Sequence, residues 1–169
     1  MRAMQAAIIG DSDAPEHVLR MAEAAGARLA GLGVVVVCGG GGGVMAAACR
    51  GAVNAGGTTV GILPGERRDD ANPWCTIVIP TGLSHARNAL TVLAADFVVV
   101  VGGGAGTLSE ISLAWVHGKP IFAMEGSGGW ADRTAGTAID SRREGTVVAC
   151  ADVDQLEREA LAVIARGNR

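Results

Sequence analysis

Two valine runs that end in strings of glycine constrain this chain more than any other feature. Val34-Val35-Val36-Val37-Cys38 runs into five glycines at 39–43, and Val98-Val99-Val100-Val101 into Gly102-Gly103-Gly104. An unbroken β-branched run with no polar alternate must be covered on both faces, as is a strand of a parallel sheet sandwiched by helices. The glycines mark the turn at which such a strand gives way to a helix. Further apolar runs at 6–9, 58–63, 76–79, 120–124 and 146–150 read as buried strands of the same kind. Helical segments fall between and after them, at 16–32, 44–55, 84–95, 107–117 and 152–165. In the last, Leu156, Ala160, Val163 and Ile164 share one face. The segment 67–72 reads as a polar loop and 126–129 as a flexible one. The alternation predicts a single-domain α/β protein over residues 1–169, Rossmann-like and doubly wound, with a mainly parallel sheet of about seven strands flanked by helices.

Charge restricts the partners. With 18% charged residues and a net charge of −3, and with basic residues clustered only as the pairs Arg67-Arg68 and Arg142-Arg143, the chain offers no nucleic-acid surface and no membrane-binding face. The 21 residues from 29 to 49 carry no charge and match a bilayer in length, but five consecutive glycines make a poor helix interior. A strand within five residues of Met1 leaves no room for a signal peptide, so the expected location is cytoplasmic. The four cysteines, Cys38, Cys49, Cys75 and Cys150, show no C-x-x-C spacing and read as reduced thiols. His17 and His117 lack companions at ligand spacing, so no metal site is expected.

In an open parallel sheet, ligands bind beyond the carboxyl ends of the strands. Three glycine turns fall there. They offer Gly10-Asp11-Ser12, then Gly40, Gly41 and Gly42, then Gly103, Gly104, Gly106 and Thr107. A glycine turn lets backbone N–H groups approach an anion, and the helix that follows adds unpaired N–H groups and the positive end of its dipole. Thr81-Gly82 ends a strand at the same edge. The arrangement predicts a binding site for a nucleotide-like phosphate ligand. The spacing is neither that of a dinucleotide fingerprint nor that of a P-loop. The only lysine, Lys119, lies at a helix C-terminus, which argues against pyridoxal chemistry.

Gly103-Gly104-Ala105-Gly106-Thr107-Leu108-Ser109-Glu110 resembles the glycine–glutamate signature of the LOG superfamily, whose members are often called lysine decarboxylase-like. Thr81-Gly82-Leu83, Ala86-Arg87-Asn88, the glycines at 39–43 with Val44-Met45, and Gly128-Gly129-Trp130 resemble its molybdenum-cofactor-carrier-like branch. The resemblance runs from Ile8 to about Cys150. It implies one of two functions. The first is a phosphoribohydrolase that splits a nucleoside 5′-monophosphate into base and ribose 5-phosphate, with Arg87 and Glu110 as the catalytic pair and Asn88 beside the ligand. The second is a non-enzymatic carrier or sensor of a phosphate-bearing ligand such as molybdenum cofactor. No other cofactor is required, and a homodimer or homotetramer is implied. Gly102 stands where the hydrolases have proline and Asn88 where they have lysine, which weakens hydrolysis and leaves phosphate binding intact. Glu110 has a second reading from the residues alone, since Thr107-x-x-Glu110 is also the pattern of a helix capping box. His85, at a helix start, reads as polar surface.

Overall fold

A computed structural model describes residues 2–167. The chain alternates β1 (Gln5–Gly10), α1 (Glu16–Gly31), β2 (Val35–Cys38), α2 (Val44–Asn54), β3 (Thr59–Leu63), β4 (Ile77–Pro80), α3 (Asn88–Leu93), β5 (Phe97–Val101), α4 (Ala105–Val116), β6 (Ile121–Met124), α5 (Gly129–Thr134), β7 (Val148–Cys150) and α6 (Val153–Gly167). The seven strands form one sheet in the order β4-β3-β2-β1-β5-β6-β7, with every neighbouring pair parallel. The expected α/β class and the seven-stranded count both hold.

Strand β5 shows why the valine runs mattered. Val99 and Val101 pack into a core with α1, α2 and α6, while Val98 and Val100 pack into a second core with α4 and Trp115. All four are fully buried, each stabilising the fold by about 1.5–3 kcal/mol relative to exposure. On the first face, α1 and α2 touch backbone to backbone. A Cβ on Gly26 would collide with the Ala48 carbonyl, and one on Gly51 with the Glu23 carbonyl.

The structure corrects the sequence reading in three places. The run at 76–79 is not a buried strand: β4 is the sheet edge, and Ile77 and Ile79 are 48% and 44% exposed. The expected helix 84–95 begins instead as a 3-10 turn, Ser84–Arg87, before α3. Ser84 enters that turn with φ of 50°, a left-handed value that a non-glycine residue seldom adopts and that interrupts a regular helix. The loop expected at 126–129 leads directly into α5, where Trp130 and Ala131 donate their N–H groups to the Gly103 and Gly102 carbonyls. Asp132 also anchors it, accepting from the Gly126 and Gly128 amides. Among the described residues no helix is long and apolar enough to cross a membrane. The uncharged stretch 29–49 runs from the end of α1 through β2 and the glycine turn into α2.

Candidate functional site

Strand order reverses beside β1: the chain winds outward through β2, β3 and β4, then returns to lay β5 on the other side of β1. Connections on opposite faces diverge at such a point and leave a crevice beyond the strand ends. A cavity of about 220 Å³ lies there.

Its floor is the end of β1, with Gly10, Asp11 and Ser12. One wall is the first turn of α4, with Gly104, Gly106 and Thr107, and Glu110 one turn further on. N–H groups in the first turn of a helix have no partner within it, so this wall presents donors and positive potential. The facing wall comes from the 3-10 turn and the start of α3, with His85, Arg87 and Asn88. Gly39 and Met45 close it from the second glycine turn.

Arg87 and Glu110 meet across the cavity. Arg87 Nη1 lies 3.8 Å from Glu110 Oε1, and both side chains are largely buried. Arg87 Nη1 also stands 3.5 Å from Thr91 Oγ1, while its Nε is buried with no partner among the described residues. The guanidinium rests on Gly39, where a Cβ would lie 2.5 Å from Nη1, so a side chain at that position would push it aside. Burial raises the Glu110 carboxyl to about 7, against the opposing pull of the Arg87 charge. A carboxyl that titrates near neutrality can give or take a proton, and one within reach of an arginine in a cavity is a candidate for chemistry.

The capping-box reading of Glu110 fails. Helix α4 starts two residues before Thr107, its cap is Gly104, and no side chain bonds across that cap. Glu110 therefore faces the cavity, not the helix end. Asn88 is held by its amide, which donates to Ser109 Oγ at 2.8 Å and ties α3 to α4. Asp11 accepts the Gly103 amide at 2.8 Å, joining the β1 turn to the β5 turn. Gly103 has φ of 107° and is packed against Thr107, so it shapes the turn and does not line the cavity.

A second hollow of about 260 Å³ shares Gly39, Met45 and Arg87 with the first. Gly41 lines it together with Pro64, Gly65 and Asp70, while Gly40 and Gly42 line neither hollow. Thr81 and Gly82 line neither but hold the hollow's rim. Thr81 Oγ1 donates to the Leu63 carbonyl at 2.7 Å, and the Thr81 and Gly82 amides donate to the Gly65 carbonyl. Gly39 and Met45, named only among the carrier-like features, and His85, read as polar surface, also line the cavity; the 3-10 turn that carries His85 packs against β3, with the Ser84 amide donating to the Pro64 carbonyl. Lys119 lies at the opposite, amino ends of the strands, ahead of β6, with Nζ donating to the Ala95 carbonyl at 2.6 Å.

Behind the second glycine turn, Cys38, Cys49 and Cys75 bring their sulfurs within 4.8 Å of one another. Cys38 and Cys49 Sγ are 3.4 Å apart, and the Gly40 amide donates to Cys38 at 3.3 Å. Hydrogen bonds from Cys38 and Cys49 pull the half-buried Cys75 thiol well below its ordinary range.

A model of the SLOG cluster4 family matches residues 3–157. The chain belongs to the SLOG cluster4 family. An uncharacterized protein of Archaeoglobus fulgidus is 40% identical over 125 residues, 74% of this chain and 82% of that protein. Among solved structures, the molybdenum cofactor carrier protein of Chlamydomonas reinhardtii superimposes with a TM-score of 0.84 at 33% identity, over 97% of this chain and 99% of that one. The molybdenum cofactor binding protein of the phototrophic bacterium Rippkaea orientalis gives 0.83 at 28% identity, over 97% and 99%. The SLOG cluster4 family agrees with the LOG-like glycine–glutamate motif on α4, and these neighbours agree with the carrier-like features on either side of it.

Proposed function

We propose that this SLOG cluster4 protein binds a phosphate-bearing ligand in the cavity between β1 and β5 and acts as a carrier for molybdenum cofactor. The observation that carries the reading is Arg87: a largely buried guanidinium whose Nε has no partner, facing the open first turn of a helix across a cavity. A buried donor left unpaired costs about 1–3 kcal/mol, a cost that an anionic ligand would remove. The first-turn amides of α4 would bind the phosphate and Arg87 would complete its charge neutralisation. The second hollow, with Leu63, Pro64 and Met45, would take the ring system, and Asp70 there keeps the anionic end on the α4 side. Full-length likeness to proteins described as carrying or binding molybdenum cofactor supports that cargo over a nucleotide.

Glu110 favours a second reading. A carboxyl at about 7 beside a phosphate pocket suits a phosphoribohydrolase, in which it would orient water and stabilise an oxocarbenium-like ribosyl centre.

One pair of measurements separates them. The purified protein is titrated with molybdenum cofactor, following pterin fluorescence, and incubated separately with nucleoside 5′-monophosphates, following free base. Saturable cofactor binding lost in Arg87→Gln, with no base released, supports the carrier. Base release abolished in Glu110→Gln overturns it in favour of the hydrolase.

A further inference from the structure

We propose that Cys38, Cys49 and Cys75 form a three-sulfur site for one soft metal ion, copper(I) in preference to zinc(II). This does not rest on the cargo reading, since the thiols lie behind the glycine turn and line neither hollow.

The three residues come from separate elements: the end of β2, the middle of α2, and the segment just before β4. Their sulfurs, mutually within 4.8 Å, fit a trigonal ligand set, in which metal–sulfur bonds of about 2.3 Å place the sulfurs about 4 Å apart. The backbone makes room for that convergence. Gly61 pairs with Cys38 across the β2–β3 ladder, and a Cβ at Gly61 would lie 2.6 Å from Cys75 Sγ. Only glycine lets Cys75 fold over β3 to reach Cys38.

The loop bearing Cys75 is fixed to the second glycine turn. The Asn72 amide groups donate to the Gly40 and Gly41 carbonyls at 2.8 and 2.9 Å. Asn72 Oδ1 in turn accepts the Trp74 amide at 3.0 Å.

Ligand chemistry decides the ion. Thiolates select soft cations, and structural zinc takes four ligands in a tetrahedron. Among the described residues no histidine, aspartate, glutamate or further cysteine joins the three. Cys38 and Cys49 are fully buried, which shields their side of the site from bulk solvent, and half-buried Cys75 provides the way in. Three sulfurs with no fourth side-chain ligand suit copper(I), which accepts three-coordination. Binding would displace the protons held by Cys38 and Cys49.

The test is an anaerobic titration of the reduced protein with copper(I) against a competing chromogenic chelator, and with zinc(II) against a zinc indicator. The expected result is one copper(I) per chain, a near-ultraviolet thiolate-to-copper absorption, and zinc(II) held at least about 1,000-fold more weakly. Cys75→Ser should weaken copper(I) about 100-fold or more, and Cys150→Ser should leave it unchanged. Gly61→Ala keeps every thiol and should also weaken binding, by displacing Cys75. Equal copper(I) affinity in the wild type and Cys75→Ser, or zinc(II) taken in preference, overturns the proposal.

Discussion

Arg87 and Glu110 face each other at 3.8 Å, close enough for their charges to interact and too far for a hydrogen bond. The pair is held open. Arg87 is braced by Gly39 and Thr91, and Glu110 by the rigid second turn of α4. A bound anion would share Arg87 with Glu110 and alter the carboxyl's titration.

Glu110 makes stability depend on pH. Its folded value, about 7, lies above the ordinary 4.5, so the folded state holds a proton that the unfolded chain releases. The stabilisation is fully present below about pH 4.5 and is lost as pH rises through 7. Glu110→Gln removes that dependence. Denaturant unfolding at about pH 5 and about pH 8 should show the wild type losing on the order of 3 kcal/mol relative to the variant. Parallel pH profiles would refute it.

Arg87 should govern affinity for the anion. Arg87→Lys keeps a charge but loses the planar fork, so phosphate-bearing ligands should bind about 10-fold more weakly; Arg87→Gln should cost about 100-fold. Calorimetric titration with the cofactor, and with inorganic phosphate as the minimal probe, measures both.

Asp11 couples two turns. Asp11→Ala strips the acceptor from the Gly103 amide and should cost about 1–3 kcal/mol, read as a lower thermal midpoint. Asp11→Asn keeps an acceptor and removes a negative charge beside the cavity. It should retain most of the stability and bind phosphate more tightly than the wild type.

The α1–α2 contact leaves no space for a methyl group. Gly26→Ala, a change that favours an isolated helix, should here destabilise by about 1–3 kcal/mol. Unchanged unfolding would mean that the helices separate at little cost.

Helix α3 exposes Leu90 and Leu93, 40% and 46% open to solvent, and α4 exposes Val116 at 52%. A homodimer or homotetramer would bury these apolar side chains. Light scattering should report an oligomer for the wild type and a monomer for Leu93→Asp; a monomeric wild type would refute it.

The sheet was legible because its physics is local. Four consecutive valines fit a strand whose two faces are both covered, and β5, Phe97–Val101, contains the whole Val98–Val101 run. The failures have non-local causes. Helix α5 starts at Gly129-Trp130, a poor helix signal, and forms because the β5 turn offers carbonyls to its first amides. The apolar run of β4 looked buried because a sequence does not mark which strand is last in a sheet. Of the site, the α4 turn, Arg87 and Glu110 stood out through residue type and motif. Met45 and His85 were visible as residues but not as lining, because α2 and the 3-10 turn come together at the cavity only in the folded sheet. The cysteine cluster was hidden for the same reason, its members being separated by 11 and 26 residues.

The reversal of strand order beside β1 also determines when the cavity can exist. Its floor and its α4 wall are joined by the Asp11–Gly103 bond, which spans 92 residues, so both halves of the chain must be in place before any pocket forms. Contacts that distant in sequence assemble late and slowly, because a long loop must close first. A nascent chain that has emerged only through β4 would have two glycine turns and nothing to hold with them. Ligand capture is thereby reserved for the finished molecule, and a bound ligand, by favouring that state alone, would act as a clasp on the whole fold.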